Sequence, residues 1–92
     1  MTTVAVTGVS GFIGDAVARR YADAGAIVRG LDRRLPDPRD PLTPDADPRV
    51  EYVVGDVTRP ADIRRLVDGA DIVIHTAAIV AESGDWRDFD RV

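Results

Sequence analysis

Four short runs of mostly apolar, often β-branched residues are spaced along the chain. They occupy residues 4–7, 27–31, 50–54 and 71–75. The first run does not alternate between apolar and polar positions, which is typical of a strand buried on both faces. The second run leads into Asp32, the third into Gly55 and Asp56, and the fourth ends at His75. We therefore predict four strands, each followed by a polar or small residue.

Helical periodicity fills two of the intervals between these strands. A first helix is predicted from Gly11 to Gly25, because apolar residues recur on one side and Gly25 is a natural helix terminator. Its predicted apolar positions are Ile13, Val17, Tyr21 and Ala24. A second helix is predicted after the third strand, with Thr58 as its N-cap and Pro60 in its first turn. Its predicted apolar face comprises Ile63, Leu66, Val67 and Ala70, with a stop near Gly69.

Two segments complete the order of elements. Residues 33–49 contain five of the six prolines, mixed with Asp and Arg. Proline lacks an amide hydrogen and disfavours helix in the preceding residue, so we predict a surface loop, and the segment is also the best suited to disorder. A third, amphipathic helix is predicted from around Asp85, with Trp86 and Phe89 facing the core.

This alternation of strands and helices implies a parallel sheet with right-handed crossovers. The predicted fold class is α/β, a Rossmann-like three-layer fold whose partial doubly wound parallel sheet has the strand order 3-2-1-4. The fourth strand then lies at an edge, although Ile72, Val73 and Ile74 have the pattern of an interior strand. We expect either that another molecule pairs with this strand, giving self-association, or that a longer protein has been cut after Val92.

Composition narrows the range of functions. The 92 residues allow one small domain, and the net charge of −4 with a pI near 4.7 argues against nucleic acid or an anionic membrane as partner. No stretch approaches the roughly 20 apolar residues of a membrane span. Zero cysteines exclude thiolate chemistry and suit a cytoplasmic protein, and no metal site is predicted. All twelve basic residues are arginine, so no mechanism that requires a lysine amine is available.

Glycines at positions 8, 11 and 14 lie between the first strand and the first helix. Missing Cβ atoms let a backbone approach a diphosphate, and the free amides of a first helical turn point towards it. The alternative is that these glycines only permit tight packing of strand against helix. The residues expected around the diphosphate are Gly8, Ser10, Gly11, Phe12, Ile13 and Gly14.

Asp32 closes the second strand 18 positions after Gly14. A carboxylate there accepts hydrogen bonds from the ribose hydroxyls of NAD and repels a 2′-phosphate, so we predict NAD, with NADP less favoured. Arg33 and Arg34 leave three alternatives open: stacking on adenine, pairing with a 2′-phosphate, or solvation. The alternative for Asp32 itself is a solvated acid at a strand end.

Together these residues resemble the extended branch of the short-chain dehydrogenase/reductase superfamily, known as the NAD-dependent epimerase/dehydratase family. Segment 7–14 fits that family's T-G-x-x-G-x-x-G, Gly55-Asp56-Val57 is similar to its motif after the third strand, and His-Thr-Ala-Ala at 75–78 is similar to its H-x-A-A. The resemblance implies that Asp56 accepts from the adenine amino group and that Val57 contacts the ring. It also implies that Ala77 and Ala78 leave room for ribose and diphosphate.

For single positions other roles stay open. Asp56 could cap the following helix, and His75 could be a structural histidine, to which the resemblance gives a positioning role rather than that of general base. The family's catalytic tyrosine, with a lysine four positions later, has no counterpart, because only Tyr21 and Tyr52 exist and no lysine does. No catalytic residue is therefore predicted. Residues 1–92 are expected to be the N-terminal portion of an NAD(P)-binding Rossmann domain, without the catalytic and substrate-binding regions.

The leading hypothesis is that the chain is the cofactor-binding segment of a nucleotide-sugar epimerase or dehydratase, inactive alone. Segment 75–80 also resembles the family's reductases and 3β-hydroxysteroid dehydrogenases, so the substrate class stays open. A second hypothesis is a non-catalytic dinucleotide-binding module. A third is a structural fragment that self-associates through its fourth strand.

Overall fold

A computed structural model of the chain describes residues 1–76. Its strands are β1 (Thr3–Thr7), β2 (Ile27–Asp32), β3 (Val50–Val54) and β4 (Ile72–His75), and its helices are α1 (Phe12–Asp23) and α2 (Pro60–Val67). The four predicted strands and the first two predicted helices are confirmed, with ends that shift by a few residues at most. The helix predicted from Asp85, with Trp86 and Phe89, lies outside the described residues.

The four strands form one parallel sheet in the order β3-β2-β1-β4, as predicted. Thr7 pairs with Leu31 on one side and with His75 on the other, and Asp32 pairs with Val54. The carboxyl ends of all four strands therefore meet at one edge of the sheet, which we call the carboxyl edge. In doubly wound folds this edge holds the ligand.

The two helices cover opposite faces of the sheet. On one face Val4, Val6 and Val28 pack with Ala18 and Ala22 of α1. On the other face Ala5 and Leu31 pack with Leu66 of α2. Alternate residues of β1 point to opposite faces, so its apolar run Val4–Val6 contributes to both cores. This gives the three layers that the sequence predicted.

The predicted buried face of α1 is partly wrong. Gly14, Ala18 and Ala22 are buried, whereas Ile13 is 47% exposed and Ala24, the C-cap residue, is exposed. Small residues face the sheet because α1 lies very close to it, and this closeness shifts the larger Val17 and Tyr21 to the flank of the core. Hydrophobicity alone does not indicate that a helix will bury its smallest side chains.

The predicted N-cap of α2 is also wrong. The cap position is Arg59, which makes no side-chain capping bond. Thr58 instead donates its amide and its hydroxyl to Asp56 Oδ1, at 2.9 and 2.7 Å. Asp56 forms a local turn with the residue two positions later. Because its hydroxyl is used in this turn, Thr58 does not cap the helix. Gly69, at φ 74°, ends α2 as predicted.

The proline-rich segment 33–49 contains no helix or strand, but its end is held firmly against the sheet. Asp47 is only 3% exposed and accepts from Arg19 of α1 at 3.1 Å and from Arg49 at 2.8 Å. Its backbone amide donates to the hydroxyl of Tyr52 at 2.8 Å. We call Arg19, Asp47, Arg49 and Tyr52 the loop clasp. Nothing in the spacing of these residues had singled out Asp47.

β4 pairs with β1 and lies at the outside of the sheet that the described residues form. Its Ile72 and Val73 are 37% and 39% exposed within that part of the chain. Among residues 1–76, no helix combines the length and apolar character needed to cross a membrane.

Candidate functional site

The turn between β1 and α1 is built on Gly8. At φ 71° its backbone is left-handed, a conformation that favours glycine. Its amide donates to the Leu31 carbonyl at 2.8 Å, and its own carbonyl accepts from Gly11 at 3.0 Å. The chain thus reverses from β1 into α1 at the carboxyl edge, beside the end of β2.

Gly14 is the glycine required by internal packing. A Cβ at this position would lie 2.0 Å from the Gly8 carbonyl oxygen and 2.8 Å from Thr76 Oγ1. Gly11 differs, because a Cβ there would meet Gly8 O at an ordinary 3.4 Å. Tight packing therefore explains Gly14, but it does not explain why position 11 lacks a side chain.

Within residues 1–76, the first backbone amides of α1 have no hydrogen-bond acceptor. Its N-cap, Gly11, makes no side-chain capping bond, and the first helical amides have no partner within a helix. Phe12 is 71% exposed, and Ile13 about half exposed, so this end of the helix is open to solvent. The partial positive charge of a helix N-terminus and its free amides suit an anion such as a phosphate.

Asp32 lies at the end of β2 and is bonded to this turn. Its Oδ2 accepts from the Ser10 amide at 3.0 Å, and its Oδ1 accepts from the Arg33 amide at 2.7 Å. Ser10 is fixed in addition by its hydroxyl, which donates to the Arg34 carbonyl at 2.7 Å. A carboxylate offers about four acceptor positions, so Asp32 retains capacity for ligand hydroxyls.

Asp56 follows β3 at the same edge. Hydrogen bonds from Thr58, followed by the nearby Arg33 guanidinium, lower the pKa of its carboxyl group. Arg33 Nη2 lies 3.4 Å from Asp56 Oδ2. The helix-cap alternative for Asp56 does not hold, since the cap position of α2 is Arg59. The neighbouring Val57 is partly buried against Leu31 and Leu66, so it also has a packing role.

Thr76 is a member of the site that sequence reasoning missed. It is 1% exposed, and its hydroxyl donates to the Thr7 carbonyl and lies 3.4 Å from the Gly8 carbonyl. It therefore ties the end of β4 to the glycine turn. The H-x-A-A match at 75–78 was the signal that could have found it. His75 Nδ1 lies 3.4 Å from Thr7 Oγ1.

The structure thus gathers most of the predicted site at the carboxyl edge. The turn, Asp32 and Arg33 are joined by hydrogen bonds, and Arg33 links them to Asp56. The predicted positions Ala77 and Ala78 lie outside the described residues. The two tyrosines are elsewhere: Tyr21 is on α1, and Tyr52 lies within β3, where its hydroxyl accepts from the Asp47 amide in the loop clasp.

This arrangement offers donors for a diphosphate next to carboxylate acceptors for hydroxyl and amino groups. A sequence profile described as the NAD dependent epimerase/dehydratase family matches residues 4–90. The chain belongs to this family. The resemblance drawn from segment 7–14, Asp56 and segment 75–78 is confirmed by this match.

Similar family members catalyse redox reactions, according to their names. The chain is 40% identical over 77 residues to a 3-beta-hydroxysteroid dehydrogenase of Mycolicibacterium neoaurum, covering 84% of this chain and 19% of that protein. It is 40% identical over 89 residues to a ceramide reductase of Caulobacter vibrioides, covering 97% of this chain and 26% of that protein. The chain therefore spans about a fifth to a quarter of these curated relatives.

Solved structures share the fold. A uronate dehydrogenase mutant from Agrobacterium tumefaciens, complexed with NAD, matches with a TM-score of 0.63 and 29% identity, covering 82% of this chain and 26% of that one. The Bordetella bronchiseptica enzyme WbmH, in complex with NAD+, matches with a TM-score of 0.64 and 28% identity, covering 82% and 25%. The predicted Rossmann-like fold is thus confirmed.

Proposed function

We propose that this family member binds the adenosine diphosphate half of NAD at its carboxyl edge, as part of a longer NAD-dependent enzyme. The observation that carries the proposal is the 3.0 Å bond from the Ser10 amide to Asp32 Oδ2. This bond joins the turn that leads into α1 to a carboxylate acceptor. A diphosphate and its adjoining ribose require the same two features side by side.

Each part of the cofactor has a proposed partner. The diphosphate lies on the turn and the first amides of α1, and the adenosine ribose donates its hydroxyls to Asp32. Asp56 accepts from the adenine amino group, and Val57 contacts the ring. The residues proposed to bind the cofactor are Gly8, Ser10, Gly11, Phe12, Ile13, Gly14, Asp32, Arg33, Asp56, Val57, Ala77 and Ala78.

NAD is the proposed cofactor in preference to NADP. The Asp32 carboxylate is fixed by two backbone amides and cannot turn aside for a 2′-phosphate without losing them. A phosphate at that position would place like charges close together.

The activity of the whole enzyme is part of the same proposal. Nucleotide-sugar epimerisation or dehydration is the first candidate. The names of two curated relatives, the 3-beta-hydroxysteroid dehydrogenase and the ceramide reductase, favour a second, oxidation or reduction of a hydroxyl or ketone group on a steroid or other lipid. When bound, the nicotinamide would supply hydride transfer, and this chain's residues would position the other end of the cofactor.

The 92 residues alone are proposed to bind the cofactor without catalysing a reaction. The resemblance implies a tyrosine-lysine pair as acid and base, and the sequence contains no lysine. Its absence of cysteine suits a reducing compartment, so a cytoplasmic location belongs to this proposal.

The role of Asp32 can be tested by calorimetric titration with NAD and NADP. Replacing Asp32 by Ala removes the acceptor for two hydroxyls, so NAD should bind on the order of tenfold or more weakly. The affinity for NADP should fall less, because the substitution also removes the repulsion between Asp32 and the 2′-phosphate. Asp32→Asn keeps a carbonyl oxygen that can accept from the Ser10 amide. A loss of NAD affinity in this variant therefore reports on ribose recognition rather than on distortion of the turn.

Asp68→Ala is the matched control, because Asp68 follows α2 at the opposite edge of the sheet. It removes one carboxylate without touching the carboxyl edge and should leave both affinities unchanged. If Asp32→Ala lowered the affinities for NAD and NADP equally, the assignment of Asp32 as the ribose partner would be wrong. Absence of binding by the unsubstituted chain at millimolar cofactor would overturn the proposed function.

We also propose that the isolated chain self-associates through β4. Ile72 and Val73 are more than a third exposed in the described part of the chain, although their residue types suit an interior strand. Pairing of β4 with a second copy would satisfy its outer row of backbone groups.

A further inference from the structure

An ion pair joins the ends of β2 and β3 at the carboxyl edge. Arg33 Nη2 lies 3.4 Å from Asp56 Oδ2, and the Arg33 side chain is 72% exposed while that of Asp56 is 25% exposed. Arg33 comes directly after Asp32 and donates its amide to the Asp32 carboxylate. A cation therefore sits beside the proposed ribose site, but its guanidinium is turned towards the proposed adenine site.

Such a cation has two possible electrostatic partners. A guanidinium binds phosphate oxygens strongly because its planar donors match them in pairs. Next to a ribose position it is well placed to compensate a 2′-phosphate and so to favour NADP. In this structure the Arg33 guanidinium is paired with the Asp56 carboxylate instead.

Asp56 is held as a fixed negative charge. Its Oδ1 accepts both the amide and the hydroxyl of Thr58, and its own amide donates to Asp62 Oδ2 at 2.9 Å. These bonds orient Oδ2 towards Arg33. Hydrogen bonding from Thr58 lowers the pKa of Asp56, so the carboxylate is charged at neutral pH.

We infer that Asp56 is a second determinant of the preference for NAD, acting by holding the Arg33 guanidinium away from the ribose 2′ position. This inference rests on the proposed function and adds to it. Asp32 repels a 2′-phosphate directly. Asp56 keeps the Arg33 guanidinium away from the position where it would neutralise the charge of that phosphate.

The test is a double-mutant cycle on the full 92-residue chain, with NAD and NADP dissociation constants measured by calorimetry. Asp56→Asn should weaken both cofactors through the lost adenine contact. It should also raise the affinity of NADP relative to NAD, because Arg33 is released. Losing an exposed ion pair corresponds to about a two- to fivefold change in this ratio.

Asp56→Asn both releases Arg33 and removes a negative charge. In the Arg33→Gln background only the loss of charge remains, so comparing the two backgrounds isolates the effect of releasing Arg33. In the Arg33→Gln variant, Asp56→Asn should change the NADP-to-NAD ratio less than it does beside Arg33. Asp68→Asn, at the other edge of the sheet, is the control for charge and should not move the ratio. Circular dichroism verifies that each variant keeps its fold.

The inference is supported if Asp56→Asn raises the affinity of NADP relative to NAD more when Arg33 is present than in the Arg33→Gln background. The same rise in both backgrounds, or no rise in either, overturns it while leaving the proposed function intact. If the unsubstituted chain bound neither cofactor, the proposed function would fail first and this inference with it.

Discussion

Gly14 shows how one residue position holds the site together. The close approach of α1 to the Gly8 carbonyl leaves no room for a side chain, and Thr76 packs against the same spot. This contact sets the distance between the helix N-terminus and the end of β1. The geometry of the turn that we propose binds the diphosphate therefore depends on a residue that has no side chain to contact a ligand.

Gly14→Ala should destabilise the chain by about 1–3 kcal/mol, the usual cost of forcing a methyl group into a filled space. Thermal unfolding followed by circular dichroism measures the effect. Gly11→Ala is the matched control, because its added Cβ would meet Gly8 O at 3.4 Å and φ at this residue is −83°. A loss in Gly11→Ala as large as that in Gly14→Ala would contradict the packing argument.

The individual residues of the site differ in how far the sequence predicts them. Asp32 and the glycines could be placed because their position at a strand end or turn follows from local pattern. Thr76 and Asp47 could not. Their burial depends on partners 69 and 28 positions away, Thr7 and Arg19, and no local periodicity indicates such contacts.

Strands were easier to predict than helix faces. The middle of β1, Val4 to Val6, is apolar because the strand packs on both faces, and this run of residues is unambiguous. The orientation of α1 depends on how closely it approaches the sheet, and the sequence does not encode this in hydrophobicity. Gly14, Ala18 and Ala22 face the sheet because they are small.

The loop clasp shows that a proline-rich segment can be fixed at its end. Bonds from the Arg49 side chain and amide, with a further charge from Arg19, hold the pKa of Asp47 well below its usual range. Arg49 also pairs with Asp23 of α1 at 2.6 Å. The clasp thus fixes the end of the segment between β2 and β3 onto α1, next to the start of β3.

The clasp should make stability depend on pH in the acidic range. The folded pKa of Asp47 is below its unfolded value of about 3.9, so its contribution is complete above that value. The contribution is lost as pH falls towards the folded pKa. Asp47→Asn should lower the unfolding temperature by several degrees at pH 7, and its difference from the unsubstituted chain should shrink below about pH 4.

Asp45→Asn is the control for this measurement, because Asp45 contacts Arg19 only through its backbone carbonyl. It should leave the unfolding temperature almost unchanged at neutral pH. A difference between Asp47→Asn and the unsubstituted chain that stays constant from pH 7 to pH 3 would show that the Asp47 charge is not responsible.

At the scale of the whole molecule, the strand order places every described part of the proposed site at one edge. The order 3-2-1-4 could be predicted, because right-handed crossovers leave few alternatives once β1 is central. The same order leaves β4 at the outside of the described sheet with apolar side chains exposed.

The proposed self-association can be measured by light scattering on the 92-residue chain. We expect a dimer or higher oligomer, because pairing at β4 buries apolar side chains and satisfies backbone groups. Replacing Val73, 39% exposed, by Lys should shift the chain towards the monomer, since edge lysines oppose strand pairing. A monodisperse monomer for the unsubstituted chain would rule the proposal out.

The central claim is that this chain binds the adenosine diphosphate half of NAD. Calorimetric titration with two overlapping fragments of the cofactor, one with and one without the adenosine, tests it most directly. ADP-ribose should bind with an affinity close to that of NAD, because the proposed contacts of the turn, Asp32 and Asp56 all lie within that part. Nicotinamide mononucleotide should give no binding heat at the same concentrations. Binding of nicotinamide mononucleotide with no response to ADP-ribose, or no binding of either, would contradict the account.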